Sequence, residues 1–148
     1  MPTKFNINGH EIDGSQQVFK WIQEGLDKEA ISYAEAFGKC LAKDKKSKNK
    51  EERYSALTTS QIRNFYGEVV RMRMRGFDRN RFLLMKPRLV YATSRNETDG
   101  SRDFLAVFKQ AIDAVLEADN EEKAKEYFQR FADFFEAVLA YHRAYGGK

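Results

Sequence analysis

Cysteine, proline and long apolar runs are scarce in this sequence of 148 residues. The single cysteine, Cys40, excludes an internal disulfide, and with only His10 and His142 beside it no Cys/His zinc site can be assembled. Two prolines and nine glycines are too few for the turns of a β-sandwich or barrel, so the composition favours helices. No run of about 18 apolar residues occurs, and the first residues are polar, so we expect a cytoplasmic protein that does not enter a membrane.

Catalytic motifs are missing as well. The sequence contains no nucleophile elbow, dinucleotide-binding loop, P-loop, zinc-protease motif or calcium loop. The acidic stretch 119–122 falls at the expected start of a helix, where negative charge suits the helix dipole, so we interpret it as a cap. We therefore expect a protein that is not an enzyme and that has no catalytic residues, no metal and no cofactor.

The apolar content is that of a folded protein. Hydrophobic residues make up 42% of the chain and aromatic residues 14%, and residues 1–148 fit one domain. One segment departs from this composition: Lys43–Arg53 (KDKKSKNKEER) has no apolar residue that could anchor it to a core. It predicts a flexible charged loop inside the domain.

Elsewhere apolar residues recur in steps of three and four, which predicts about five or six helices. The expected caps are Ser15, Asp27, Thr58 with Gln61 as a capping box, Asp78, Ser101 and Asn120. Pro87 lies inside one of these helices and should kink or break it. The last helix carries a wide aromatic stripe that includes Phe131 and Phe135, so we expect it at the centre of the bundle. With no visible strand pattern, the expected fold is an all-α, single-domain helical bundle.

Positive charge is concentrated in the middle of the chain. Residues 39–95 hold 16 basic and 5 acidic residues, a net of +11, although the whole chain carries only +4. A segment this basic is typical of a surface that binds a polyanion, most often nucleic acid. The alternative is a solvated face that balances the acidic residues on either side.

Two helical faces collect this charge. The first, on the helix that begins near Ser60, comprises Asn64, Glu68, Arg71 and Arg75. The second, at seven-residue spacing on the next helix, comprises Arg81, Arg88 and Arg95. Opposite that second stripe we expect an apolar side, formed by Leu83, Leu84 and Val90, that faces the core. These basic faces show no aromatic residue that could read bases, which predicts nucleic-acid binding without sequence preference. Alternatively, the arginine stems only cover apolar surface.

Three blocks of the sequence resemble a known family. They are Leu57–Phe65 (LTTSQIRNF), Phe82–Ala92 (FLLMKPRLVYA) and Phe134–His142 (FFEAVLAYH). In this order they resemble the small subunit of type III-A CRISPR effector complexes, the Csm complexes. The resemblance runs from residue 57 to the last residue, and residues 1–50 carry no matching motif.

The resemblance implies an all-helical subunit of an antiviral defence complex, without catalytic activity of its own. It implies partners: several copies of the same chain, the guide-RNA backbone subunit and the large signature subunit. Small subunits of this family line the channel that holds target RNA paired with guide RNA, while cleavage and signalling chemistry belong to other subunits.

We therefore expect the basic surface to contact the RNA backbone. The residues expected to bind RNA are Gln61, Arg63, Asn64, Arg71, Arg75, Arg81, Lys86, Arg88 and Arg95, with looser contacts from Lys43, Lys45, Lys46, Lys48 and Lys50. Two other functions remain open: a helical DNA-binding regulator, and a protein–protein adaptor whose arginines meet acidic partners. Against the regulator, the charged loop leaves no tight helix-turn-helix pair before Ser60.

Overall fold

The computed structural model describes residues 3–148, which form a helical bundle with one small β-hairpin. The hairpin consists of β1 (Lys4–Ile7) and β2 (His10–Asp13). The helices are α1 (Gly14–Glu24), α2 (Lys28–Ala42), α3 (Arg63–Arg75), α4 (Arg79–Leu83), α5 (Met85–Ser94), α6 (Asp99–Leu116) and α7 (Glu121–Ala144). Two short 3-10 helices, Lys50–Glu52 and Thr59–Ile62, lie between α2 and α3. The expected all-α helical bundle is confirmed.

The β-hairpin before α1 contradicts the expectation that the chain has no strand. Its strands pair antiparallel over their full length of four residues each. The turn residues Asn8 and Gly9 have φ angles of 52° and 86°. Asparagine followed by glycine is the pair that such two-residue turns prefer, because both positions require positive φ. The alternation of polar and apolar residues in Lys4–Ile7 is only four residues long, so the Asn-Gly pair after it was the stronger local signal.

Several helices begin where the sequence predicts. The side chains of three predicted caps accept a hydrogen bond from the backbone N–H three residues later: Asp27, Asp78 and Asn120. The predicted capping box is also present, since the backbone N–H of Thr58 donates to Oε1 of Gln61 at 2.9 Å. The first turn after this box is a 3-10 turn, and α3 follows it directly.

Two predicted caps are wrong by a few residues. Asp13 caps α1, because its Oδ1 accepts a hydrogen bond from the backbone N–H of Ser15 at 3.0 Å. Thr98 caps α6, and its Oγ1 accepts from the backbone N–H of Ser101 at 3.0 Å while the Ser101 hydroxyl accepts from the Thr98 N–H at 2.9 Å. In both cases an equally good capping side chain lies just upstream of the predicted serine.

Pro87 breaks the helix that surrounds it, as predicted, and so separates α4 from α5. The break lies at Leu84, three residues before the proline. In a continuous helix the proline ring would clash with the carbonyl of Leu83, and no N–H would be present to bond it. The first backbone hydrogen bond of α5 therefore runs from the N–H of Arg88 to the carbonyl of Leu84, at 3.3 Å.

The aromatic stripe of α7 forms the centre of the core, as predicted. This helix packs against α1, α2, α3 and α6, and its residues Phe131, Phe134 and Phe135 are fully buried. The ring of Phe131 lies 5.3 Å from that of Phe82 on α4, and the ring of Phe135 lies 5.3 Å from that of Phe65 on α3. These edge-to-face and tilted pairs fix the positions of α3 and α4 on the core.

The charged segment 43–53 is closed at its base. Lys45 and Tyr54 form an isolated antiparallel bridge, with N–O distances of 2.8 Å and 2.9 Å. The hydroxyl of Tyr54 donates to Oδ2 of Asp103 on α6 at 2.6 Å. The ends of the segment are therefore held, while its lysines are exposed. Its flexibility stays a prediction.

Among the helices of residues 3–148, none combines the length and the apolar character that a membrane crossing requires.

Candidate nucleic-acid interface

A groove of about 790 Å³ lies between α3 and α5. Its walls come from the 3-10 turn before α3, from α3 itself and from α5. Six of the residues that the sequence predicts to bind RNA line it: Gln61, Arg63, Asn64, Arg71, Arg88 and Arg95. The structure therefore brings together residues that are more than 30 positions apart in the chain.

Helical periodicity explains the composition of both walls. On α3 the buried residues Phe65, Val69 and Met72 turn toward the core. On α5 the buried residues Met85, Leu89 and Thr93 do the same. The arginines fall on the remaining sides of the two helices, where their guanidinium groups reach water.

One carboxylate lies among these arginines. Oε1 of Glu68 contacts the guanidinium of Arg71 at 2.5 Å and that of Arg88 at 3.6 Å, so one acidic side chain joins the two walls. The hydrogen bond from Arg71 holds the pKa of the Glu68 carboxyl below its ordinary value, and the positive charges of Arg71, Arg88 and Arg81 act in the same direction. Glu68 thus offsets part of the positive charge of the groove.

The other polar residues of the groove differ in whether their side chains already have an ion-pair or hydrogen-bond partner in the chain. Arg63 and Arg95 are exposed and form no ion pair with any residue of the described chain. Both polar atoms of the Gln61 amide have a partner in the chain, since its Oε1 accepts from Thr58 and its Nε2 donates to the carbonyl of Asn96 at 2.8 Å. We conclude that Gln61 shapes the groove, whereas Arg63 and Arg95 present open donors.

Tyr91 is a groove residue that sequence reasoning missed. It lines the α5 wall, and 64% of its surface is exposed. The guanidinium of Arg95 lies 5.7 Å from the centre of its ring. The expectation that the basic faces lack an aromatic residue is therefore wrong. Its position three residues after Arg88 was the available signal, because that spacing places both side chains on one helical face.

The predicted arginine stripe from Arg81 to Arg95 is interrupted. Arg88 and Arg95 on α5 line the groove, whereas Arg81 on α4 does not. The side expected to be apolar and buried is also wrong, since Leu83 is 56% exposed and Leu84 is 51% exposed. Phe82, Met85 and Leu89 take the core positions instead, at the steps of three and four that one helical face has.

The remaining predicted residues lie apart from the groove. Arg75 is exposed at the end of α3, and Lys86 forms an ion pair with Asp113 on α6 at 2.8 Å. Three of the loop lysines line a second, shallower depression of about 500 Å³, namely Lys45, Lys46 and Lys50. Lys48 is exposed, and the side chain of Lys43 lies near Gly146.

His142 is a core residue on the buried side of α7. It is fully buried, and its Nε2 lies 2.8 Å from the carbonyl of Leu57. This contact joins α7 to the segment that precedes the first groove wall. The contact therefore holds the chain just before the 3-10 turn of that wall against α7.

The groove is built from two of the blocks that carry the family resemblance. One wall includes residues of Leu57–Phe65, and the other includes residues of Phe82–Ala92. Each block supplies core residues as well as groove residues, because both lie at a boundary between buried and exposed helical faces.

Comparisons with known proteins agree with this resemblance. The family model described as Csm2 Type III-A matches residues 27–148. The match begins before the first of the three blocks and includes α2. Neither the search of curated proteins nor that of solved structures found a match. Because the family model covers most of the chain, the chain belongs to the Csm2 family, the small subunits of type III-A CRISPR effector complexes.

Proposed function

We propose that the chain is a non-catalytic small subunit that binds the backbone of the target RNA and guide RNA through the α3–α5 groove. In this role it works in the cytoplasm, in antiviral defence, and contacts further copies of itself, the guide-RNA backbone subunit and the large signature subunit. The observation that carries the proposal is the groove itself, which gathers four arginines from the two family blocks and their flanks.

The chemistry of the groove supports contact with phosphates. Guanidinium groups donate two parallel hydrogen bonds to a phosphate, and they keep their charge at any physiological pH. Arg63 and Arg95 offer such donors without a competing carboxylate in the described chain. The single carboxylate, Glu68, is held in ion pairs with Arg71 and Arg88, which makes it a poor proton acceptor for catalysis.

Exposed apolar residues support contact with neighbouring subunits. Leu83 and Leu84 lie side by side at the turn between α4 and α5, and each has more than half of its surface exposed. Adjacent leucines in water are unfavourable unless a partner covers them. This turn lies next to the groove, so a neighbouring subunit placed there would stand close to bound RNA.

The proposal predicts that Arg63→Ala, Arg88→Ala and Arg95→Ala together weaken the binding of unrelated single-stranded RNAs. Each lost phosphate contact should lower the slope of log affinity against log salt by about 0.7. The fold should survive, because exposed charges contribute little to stability. The measurements are filter binding at several salt concentrations and thermal melting.

The matched control changes three exposed basic residues away from the groove: Lys109→Ala, Lys125→Ala and Arg143→Ala. This control alters the net charge by the same amount and should leave the salt slope nearly unchanged. Pull-down on the guide-RNA backbone subunit should recover both variants. Equal RNA binding by the groove variant and the control variant would contradict the proposal. Loss of the groove variant from the complex would instead favour a protein–protein adaptor. Preference of the wild-type chain for one DNA duplex would favour a DNA-binding regulator.

A further inference from the structure

We propose that Tyr91 stacks against an unpaired base of the RNA strand in the α3–α5 groove. This inference rests on the proposed function and adds a base contact to a surface otherwise suited to phosphates. Base–aromatic stacking occurs with every base, so it strengthens binding without sequence preference.

The register of α5 puts the tyrosine where a base can reach it. Met85, Leu89 and Thr93 occupy the buried side of the helix, and Tyr91 points into the groove with 64% of its surface exposed. A single exposed aromatic residue is common on protein surfaces. This one differs because it lies in a basic groove, beside four arginines.

Arg95 prepares the ring for stacking. Its guanidinium lies 5.7 Å from the ring centre, within the range of a cation–π contact, and such a contact restrains both side chains. The small neighbours Pro87 and Ala92 line the same groove and leave room around the ring. A groove of about 790 Å³ is within the usual range of ligand sites, roughly 300–1,000 Å³, so it has room for a nucleotide.

Asn64 supplies a polar group on the opposite wall. Its side chain is exposed, lines the groove and has no hydrogen-bond partner within residues 3–148. The amide offers both donors and an acceptor, so it can bond to the edge of any base that lies on Tyr91. Backbone contact by the arginines, stacking by Tyr91 and edge contact by Asn64 would together hold one nucleotide.

The test compares two probes that carry the same phosphates: a short oligouridine and its abasic counterpart, whose ribose units have no base. The wild-type chain should bind the oligouridine about 5- to 150-fold more tightly than the abasic strand. Tyr91→Ala should remove that preference and leave affinity for the abasic strand and the salt slope unchanged. Tyr91→Phe should retain the preference, because the ring is kept.

The outcomes separate this inference from the proposed function. Equal binding of the two probes by the wild-type chain, or a preference that persists in Tyr91→Ala, would overturn stacking by Tyr91. If the arginine variant still shows its lower salt slope in that case, the backbone contact stands alone. If neither variant changes RNA binding, the groove does not bind RNA and both proposals fail. Tyr91 is mostly exposed, so its variants should melt near the wild-type temperature.

Discussion

At the scale of single residues, Glu68 determines how much positive charge the groove presents. Its carboxylate contacts Arg71 and Arg88, which would otherwise be free to meet phosphates. Because its pKa is lowered in the folded chain, the ion pairs add stability above the unfolded pKa, and this stability is lost as the pH falls through the folded pKa. At neutral pH the carboxylate is therefore charged, and under the proposed function it would compete with RNA phosphates for both arginines.

Glu68→Gln should strengthen the binding of single-stranded RNA. Removing one negative charge frees two guanidinium groups, and for a partly exposed pair we expect an increase in affinity of about two- to five-fold. The measurement is the dissociation constant at low salt. The control, Glu126→Gln, removes a carboxylate that pairs with Arg130 on α7 outside the groove. Weaker RNA binding by Glu68→Gln would mean that the carboxylate positions the arginines rather than competing for them.

Single residues also mark the limit of prediction from sequence. The grouping of Asn64 with Arg71, and of Arg88 with Arg95, follows from helical periodicity alone and could be predicted. The ion pair of Lys86 could not, because its partner Asp113 lies 27 positions away and reaches it only through the packing of α5 on α6. Tyr91 was missed because its exposure depends on which face of α5 is buried.

At the scale of helices, α2 and α7 approach each other closely at Gly38. A Cβ atom on Gly38 would lie 2.6 Å from the carbonyl oxygen of Val138 and 2.9 Å from the backbone nitrogen of His142. Both are backbone atoms, which cannot move aside without separating the helices. The spacing of α2 and α7 therefore depends on this glycine.

Gly38→Ala should destabilise the fold by about 1–3 kcal/mol, as an inserted methyl group does in a packed core. Gly67→Ala on α3 is the matched control, because the nearest atom to its added Cβ is the flexible end of Arg71, at 3.7 Å. In that open position alanine should stabilise the helix by roughly 0.5–1 kcal/mol. Chemical denaturation measures both. A Gly38→Ala variant as stable as the parent would show that α2 and α7 can separate freely.

Helices also differ in how well the sequence defines their ends. The break before Pro87 could be predicted from the proline, which cannot bond to the carbonyl of Leu83. The buried side of this region was assigned wrongly. Leu83 and Leu84 were placed toward the core, whereas the structure buries Phe82, Met85 and Leu89 and exposes the two leucines.

At the scale of the whole molecule, one aromatic cluster supports the α3 wall of the groove directly and the α5 wall through its neighbours α4 and α6. Phe131 on α7 contacts Phe82 of α4 and Phe108 of α6, and Phe135 contacts Phe65 of α3. The groove therefore rests on this cluster. Its geometry follows the state of the core.

Phe131→Ala should therefore reduce stability by about 3–5 kcal/mol, the usual cost of deleting a buried phenylalanine ring. Against a total of about 5–15 kcal/mol for a domain, the variant should be marginally stable. Thermal and chemical unfolding give the measurement. Tyr127→Ala is the comparison, since that ring lies on the same helix but is only half-buried. Equal decreases in the free energy of unfolding for the two variants would mean that Phe131 is not central to the core.

The bridge between Lys45 and Tyr54 has a practical consequence for labelling the protein. It joins the ends of the charged segment, so the residues inside it form a closed loop whose length is independent of the helices on either side. Each doubling of such a loop costs only about 0.6 kcal/mol in closure entropy. A small fluorescent tag inserted between residues 46 and 49 would thus leave the spacing of α2 and α3 unchanged and could report assembly of the complex as it occurs.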